Sequence, residues 1–565
     1  MLEHPVVPFL VAAAVAGMVP RRIGALVLLA APVVALLQLL ALDEGTTQHL
    51  DFFGYELTVL RLDDLSLPFA FIFIAIAALA GLFGFSTFSK GEQVSALLHA
   101  GLGIGVVLAG DLLTLFVMWE LKAVASTLLI ALGRNRSSPG AAYRYLLIHV
   151  LGGSLLLGGT LWHLSTGGSL AFDQFDGHAS SALILIAFLL SAAMPPLHPW
   201  LPDAYPSASI AGSVVLSAFT TKSAVYALLR GFPGTELLIV LGVAMAFYGV
   251  IYAVLENDVR RLLSYHIISQ VGFMITAVGI GTAAAVNGAT AHAVAHILYK
   301  GLLLMGVGAL VHATGKEKLT DMGGLARPLR WVMVLYMVGA LSISGVPLFS
   351  GFVSKELVID AAYGDNMYLV VYLLKIVSVG TFLSTALKLP WFAFGGPDRG
   401  IPIRPLPATM FAAMGITAAA NVLLGVRPGL LYDLMPNPVD YEPFTASHLS
   451  ETMQLLVLAG LGFWLLATKL KGEPSITLDT DWIYRRGGPA VVTRAHALAA
   501  TRPQPMATAR QYGARTWLRI TDGTLGPAGG LGRRDQAPTP TPALGAIMLV
   551  AILLLLSTAV ISGAW

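Results

Sequence analysis

The 565-residue chain contains no cysteine. It can form no disulfide framework and offers no thiol for nucleophilic or redox chemistry. By itself it ligates no iron–sulfur cluster and attaches no c-type haem. Charge is also scarce. Only 12% of the residues are Asp, Glu, Lys or Arg, against roughly 25% in soluble globular domains, which excludes an ordinary soluble enzyme. The 56% hydrophobic share excludes a disordered chain. Several catalytic signatures are missing too: no GxxxxGK[ST] phosphate loop, no HExxH and no GxSxG elbow occur. No cofactor and no metal is expected. His292-x3-His296 has helical ligand spacing, but no cysteine or nearby carboxylate completes a site.

What remains is apolar and arranged in blocks of about 17–25 residues, the length that crosses roughly 30 Å of hydrocarbon. The fold class is an all-α polytopic membrane protein. About sixteen spans are predicted, near 5–20, 23–42, 66–88, 94–110, 112–133, 141–164, 180–206, 209–230, 235–255, 262–282, 285–312, 328–360, 366–393, 406–426, 452–469 and 541–562. The start, MLEHPVV, lacks a basic region and a small-residue cleavage site, so the first apolar stretch is expected to stay as a helix.

The net charge of +3 is small, but its distribution sets the topology. With the N-terminus outside, the inner loops collect Arg21, Arg22, Lys90, Arg134, Arg136, Arg260, Arg261, Lys316, Lys318, Arg327, Arg330, Arg399, Arg404, Lys469, Lys471, Arg485 and Arg486. The outer loops keep Arg61, Arg230 and Arg427. Basic residues accumulate on the cytoplasmic side, so both termini are expected outside, in a multi-pass protein of the inner (plasma) membrane.

Two spans are interrupted alike. The seventh breaks at Met194-Pro-Pro-Leu-His-Pro-Trp-Leu-Pro202, the twelfth at Gly345-Val-Pro-Leu-Phe-Ser-Gly351. They lie five spans apart, and an odd offset reverses topology, as in transporters built from inverted repeats with broken helices. The expected organisation is N-terminal helices over 1–93, a first repeat over 94–230 and a second over 235–393. C-terminal helices over 406–469, a basic amphipathic segment along the cytoplasmic interface over 473–540 and a terminal anchor over 541–562 complete it.

An ionisable residue at membrane depth costs at least ~2.5 kcal/mol on insertion scales and is a functional candidate by default. Glu120 and Lys122 lie in span five, His149 in six, Lys222 in eight and His266 in ten. Span eleven carries His292, His296 and Lys300 at i, i+4 and i+8, on one helix face. Lys355 and Glu356 follow the second break, and Lys375 and Lys388 lie in span thirteen. Such groups, with water, make a proton relay in the membrane plane. Singly, Lys388 is also consistent with a side chain reaching the headgroups, and His149 with an interhelical hydrogen bond.

Four stretches carry a family pattern: Phe116-Val-Met-Trp-Glu-Leu121, Pro196-Leu-His-Pro-Trp-Leu-Pro-Asp-Ala-Tyr205, His292-Ala-Val-Ala-His-Ile-Leu-Tyr-Lys-Gly-Leu302 and Gly345-Val-Pro-Leu-Phe-Ser-Gly-Phe-Val-Ser-Lys355. From about residue 60 to 400 the chain resembles the antiporter-like subunits of Mrp-type Na⁺/H⁺ antiporters, respiratory complex I and membrane-bound hydrogenases, most closely the D-type subunits of the Mrp antiporters. The resemblance implies fourteen core helices in two inverted five-helix repeats, plus two helices flanking a lateral amphipathic segment. It also implies a relay of Glu120, Lys222, His292, His296, Lys300 and Lys355; Lys122, His149, His198, His266, Glu356 and Lys388 are read beside it as supporting residues from their own positions in the sequence. One departure is clear. The family usually has a lysine seven residues before the motif histidine, paired with the span-five glutamate; here the histidine is His198 and that position is Ser191. Lys122 lies about 200° round the helix from Glu120 and is a poor substitute.

The expected function is a proton-translocating subunit of a multisubunit complex, with Mrp-type Na⁺/H⁺ antiport leading. Its partners would be other membrane subunits, H⁺, Na⁺ and the bilayer, with no nucleic acid. A redox-driven ion pump, a system coupled to inorganic-carbon capture and a structural scaffold with a decayed ion path are the alternatives.

Overall fold

A computed structural model of the chain describes residues 3–470 apart from 53, 134 and 468, together with 479, 480, 482, 487, 493, 494 and 497. The chain divides into two units, Met1–Asp479 and Thr480–Trp565. The second holds only scattered described residues, so the basic segment expected over 473–540 lies almost wholly, and the anchor over 541–562 wholly, outside the described residues.

The first unit begins with α1 (Val7–Met18) and α2 (Arg21–Ala41), then the antiparallel hairpin β1 (Thr47–Phe52) and β2 (Tyr55–Arg61). The helices α3 (Ser66–Gly84), α4 (Lys90–Leu108), α5 (Leu112–Ala131) and α6 (Ser138–Ser165) follow. Then come α7 (Ala179–Ser191), α8 (Trp200–Ser207), α9 (Ile210–Gly231), α10 (Leu237–Leu255), α11 (Val259–Ile280) and α12 (Ala283–Thr314). The remainder is α13 (Arg330–Ile343), α14 (Ser350–Gly364), α15 (Tyr368–Phe382), a π-helical turn (Leu383–Lys388), α16 (Leu389–Ala393), α17 (Ala408–Val426), α18 (Gly429–Tyr432) and α19 (Ala446–Leu466).

Helices are what this composition allows, because lipid leaves every backbone polar group to be satisfied within its own segment. Their ends follow local chemistry. Ser89 and Glu92 form a capping box that starts α4, the Glu92 carboxylate accepting the Ser89 N–H at 2.8 Å. Asp111, Ser209, Asp258 and Thr282 cap α5, α9, α11 and α12.

Among the described residues, twelve helices are long and apolar enough to cross a membrane, and α1, α7 and α13 are shorter apolar helices. Every span predicted up to residue 469 falls on helix. Two of them are helix pairs. Span seven divides into α7 and α8 around Ala193 (φ +64°), and span twelve into α13 and α14 around Gly345 (φ +75°) and Leu348 (φ +73°). The hairpin is not expected from sequence. Its Arg61 bridges Asp63 (3.0 Å) and Asp173 (2.7 Å), while Arg230 of α9 reaches Asp63 at 2.7 Å. The expected outer arginines 61 and 230 are thus ion-paired and share Asp63.

Burial sorts the helices. The hydrophobic stretches of α9 and α11 are wholly enclosed and that of α12 nearly so, whereas α2, α10, α15, α17 and α19 present broad apolar faces outward. A helix apolar all round and enclosed is the core of the bundle. The ionisable residues of spans eight, ten and eleven sit on these three central helices.

Candidate functional site

The site is built from α5 inward. Asp111 accepts the Leu113 and Thr114 N–H groups at 2.9 and 2.7 Å, fixing the phase of α5. Two turns on, the Glu120 carboxylate lies against α6 where residue 153 is glycine; a Cβ there would overlap it. Glu120 Oε1 has no hydrogen-bond partner among the described residues. Lys122 is buried on another face of α5, its Nζ 4.3 Å above the Trp119 ring and also without a hydrogen bond. No ion pair joins Glu120 to Lys122 or to any other described cation.

Two histidines flank this pair. His99 Nδ1 donates to the Lys122 carbonyl at 3.3 Å, and His149 Nδ1 to the Tyr145 carbonyl at 2.9 Å. A carbonyl only accepts, so in each neutral ring Nδ1 carries the proton and Nε2 is bare; among the described residues neither Nε2 has a hydrogen-bond partner. The bond of His149 is thus within α6, not between helices as expected from sequence. Tyr145 stacks on His149 (3.8 Å between centroids) and donates to Ser126 at 3.0 Å.

In the centre, Lys222 is fully buried on α9 and donates to the Ser217 carbonyl (2.8 Å) and the Thr221 hydroxyl (3.2 Å). Its neighbours Thr220 and Ser223 carry unpartnered buried hydroxyls. On α12 the three residues predicted to share a face have different surroundings. His292 Nδ1 lies 3.2 Å from the Ser354 hydroxyl of α14, and its Nε2 lies 3.3 Å from the Tyr299 hydroxyl. Tyr299 is in turn 3.3 Å from Gln270 Oε1 on α11, and Gln270 reaches Thr381 of α15 at 3.5 Å. Both ring nitrogens of His296 are unpartnered. Lys300 donates to the Leu263 carbonyl at 3.3 Å.

Beyond the centre, His266 Nε2 meets the Ser384 hydroxyl of the π-helical turn at 2.7 Å; such turns recur at functional positions. Lys355 Nζ donates at 2.5 Å to the Ile343 carbonyl, the last of α13, and lies 5.3 Å from the Phe273 ring. Among the described residues Lys222, Lys300 and Lys355 have no carboxylate within ion-pair distance, yet each acts electrostatically on the others or on His296. Lys388 is buried and donates to the Val254 and Glu256 carbonyls at 2.5 and 2.8 Å, so it caps the end of α10 and does not reach the headgroups.

His198, in the break between α7 and α8, stands apart from this chain of groups. Its Nε2 lies 3.1 and 3.3 Å from the two oxygens of Asp479, which also accept the Tyr248 and Tyr265 hydroxyls at 2.5 Å each. Burial opposes the Asp479 charge, but His198 and the two tyrosines outweigh it and hold the carboxyl well below the usual range. Asp479 is not among the site residues expected from sequence, nor is Arg144, whose guanidinium clasps Asp203 of α8 at 2.6 and 2.9 Å.

The break at α13–α14 is held by a neutral cluster. Ser342 and Ser350 are 3.1 Å apart and donate to Asn421 of α17 at 3.3 and 2.8 Å. Among the described residues no group of three or more His, Asp or Glu side chains could hold a metal ion.

The family described as NADH:quinone oxidoreductase/Mrp antiporter, TM, matches residues 109–384. The chain is 31% identical over 389 residues to the Na(+)/H(+) antiporter D subunit of Alkalihalophilus pseudofirmus, covering 62% of this chain and 78% of that one. It is 28% identical over 429 residues to the Na(+)/H(+) antiporter A1 subunit of Staphylococcus haemolyticus, covering 67% of this chain but only 53% of that one, about half its length. Among solved structures, a chain of the Mrp complex from Dietzia sp. DQ12-45-1b is similar at TM-score 0.76 and 24% identity, over 98% of this chain and 66% of that one. A chain of the membrane-bound sulfane sulfur reductase, an archaeal respiratory membrane complex, is similar at TM-score 0.71 and 24% identity, over 99% and 100%. At these identities the structural likenesses establish the fold.

Proposed function

This chain belongs to the NADH:quinone oxidoreductase/Mrp antiporter membrane family, and from that premise we propose that it is the proton-translocating, D-type component of a multisubunit Na⁺/H⁺ antiporter of the plasma membrane, with both termini outside. The observation that carries the reading is the row of ionisable groups, enclosed except at its half-buried first member Glu120. It runs from Glu120, through Lys222 and the His292/His296/Lys300 helix, to Lys355, with unpartnered atoms at Glu120, Lys122, His99, His149 and His296.

Buried donors and acceptors of this kind are satisfied by water, and water between titratable groups passes protons. Glu120 takes or gives a proton at the α5–α6 contact. Lys222 and the α12 residues carry charge across the middle, and Lys355 exchanges with an aqueous side. Coupling is electrostatic. Two like charges 10 Å apart at an effective dielectric near 20 repel by about 1.7 kcal/mol, so protonating one lysine eases deprotonation of the next. With Ser191 in place of lysine, Lys122 is the cation nearest Glu120 in sequence, and their separation leaves the carboxylate free to hold its proton for longer in the cycle. The units 94–230 and 235–393, each with one broken helix, fit two inverted repeats around this row.

A second reading, the same ion path driven by a redox partner, is favoured by the likeness to the sulfane sulfur reductase chain. The test of the ion path common to both is Glu120→Gln in vesicles carrying the whole complex. Proton movement is expected to fall at least tenfold with assembly intact; an unchanged rate would mean a scaffold.

A further inference from the structure

Three basic side chains, each from a different helix, are buried together: His99 of α4, Lys122 of α5 and His149 of α6. The charge of Lys122 acts on both histidines, and that of Glu120 acts on Lys122. One hydrogen-bonded scaffold holds the set. The Lys122 carbonyl accepts from His99 Nδ1 (3.3 Å) and from the Ser126 hydroxyl (2.8 Å), and Ser126 in turn accepts from the Tyr145 hydroxyl (3.0 Å). The Tyr145 carbonyl takes the Nδ1 proton of His149 (2.9 Å), and the two rings stack.

The scaffold leaves the reactive ends unmatched. Among the described residues both Nε2 atoms and the Lys122 Nζ have no hydrogen-bond partner. An ammonium offers three donors and a bare imidazole nitrogen accepts one, so water joining them satisfies all three. Each histidine takes and returns a proton at Nε2, because its Nδ1 is committed to a carbonyl. It is a store rather than a wire, and its carbonyl bond strengthens when the ring becomes cationic. Like charges repel strongly where water is scarce, so the set carries one proton at a time.

Its place in the fold gives the set a use. The hydrogen bonds of Lys222 stay within α9, and Ser191, buried in α7, offers only a hydroxyl. Neither provides a titratable link to Glu120. His99 packs edge-on against Phe219 (5.5 Å between centroids), which lies one turn before Lys222 on α9, and His149 packs edge-on against Trp200 of α8 (4.7 Å).

Resting on the relay proposed above, we propose that Lys122 is the proton carrier between Glu120 and Lys222, with His99 and His149 as the bases with which it exchanges. The proton leaves the Glu120 carboxyl through water for the neutral Lys122 amine, leaving the carboxylate. The ammonium passes it to Nε2 of a histidine and becomes an amine again. From His99 the proton continues to the Lys222 amine, and the ring returns to its neutral form.

Two replacements of Lys122 separate proton transfer from charge. Lys122→Met keeps a side chain of similar length beside Trp119 and removes the proton. Lys122→Arg keeps the positive charge, but a guanidinium does not release its proton. In vesicles carrying the whole complex, Na⁺-dependent proton movement is expected to fall at least tenfold in both, with subunit composition and unfolding temperature unchanged. Wild-type rates in Lys122→Met overturn the carrier; wild-type rates in Lys122→Arg do so too, since charge alone would then suffice. The double variant His99→Asn/His149→Asn keeps a donor near each Nδ1 position and removes both basic nitrogens. It is expected to fall at least tenfold, and an unchanged rate overturns the exchange; it also carries the test from α4 and α6 should arginine not fit at 122. Loss of transport in Glu120→Gln beside wild-type rates in Lys122→Met overturns this inference alone, whereas wild-type rates in Glu120→Gln overturn the relay itself.

Discussion

Glu120 owes its place to what its neighbours lack. The glycine at 153 leaves a hollow in α6 that the carboxylate fills. Gly153→Ala adds one methyl where the carboxylate lies, while alanine in place of glycine favours the helix by about 1 kcal/mol. Transport is therefore expected to drop at least tenfold with no loss of thermal stability. Measuring both on one preparation separates displacement of Glu120 from misfolding.

Asp63 gives a prediction in pH. Burial pushes its carboxyl up, but the Arg230 hydrogen bond and charge, with the Ser66 N–H and Arg61, outweigh it and hold it down at about 2. A depressed carboxyl stabilises the fold above its unfolded value near 3.9, and that contribution is lost as pH falls toward 2. Asp63→Asn is expected to flatten the decline of thermal stability below about pH 4, as read by unfolding in detergent across that range. The charged members of the site were legible in sequence because a lysine or glutamate inside an apolar run stands out. Tyr299, Gln270 and Ser354 were not, since neutral polar residues are common in such runs and only packing shows that they join α11, α12 and α14. Asp479 was hidden for another reason: its partner His198 is 281 residues away.

At the scale of elements, proline and glycine marked both breaks, and the left-handed residues Ala193 and Leu348 show how tightly the chain turns there. The hairpin escaped notice because its two short, mixed-polarity strands look like a loop between long apolar blocks. The close contact of α10 on α11 rests on small residues. A Cβ at Gly249 would strike the Ser269 backbone, and one at Gly272 the Ala246 backbone. Close approach of this kind replaces the hydrophobic drive that lipid removes. Gly249→Val is expected to force the helices apart at a cost of about 1–3 kcal/mol, lowering the unfolding temperature and loosening the Tyr248–Asp479–Tyr265 cluster. Asp479→Asn is expected to lower stability in the same assay with α10 and α11 still paired, and cross-linking between those helices distinguishes the two.

For the whole molecule, the fold class and the helical spans up to residue 469 were legible because long apolar blocks mark helices in a bilayer, while the span expected at 541–562 lies outside the described residues. The lopsided arginines and lysines supplied the expected orientation, and Arg61 and Arg230, the arginines expected on the outer side, prove to be ion-paired. Energy source is a property of the assembly and leaves no mark on one cysteine-free chain. Purification from native membranes in mild detergent is expected to yield other hydrophobic subunits and no iron–sulfur or nickel protein; redox subunits in stoichiometric amount would establish the redox-driven reading. A relay through the enclosed lysines depends on Lys222, which is fully buried at the centre of α9. Its replacement, Lys222→Ala, in inside-out vesicles bearing the assembled complex is to be followed by Na⁺-dependent proton movement. The relay requires a fall to background; wild-type rates in an intact assembly would contradict it.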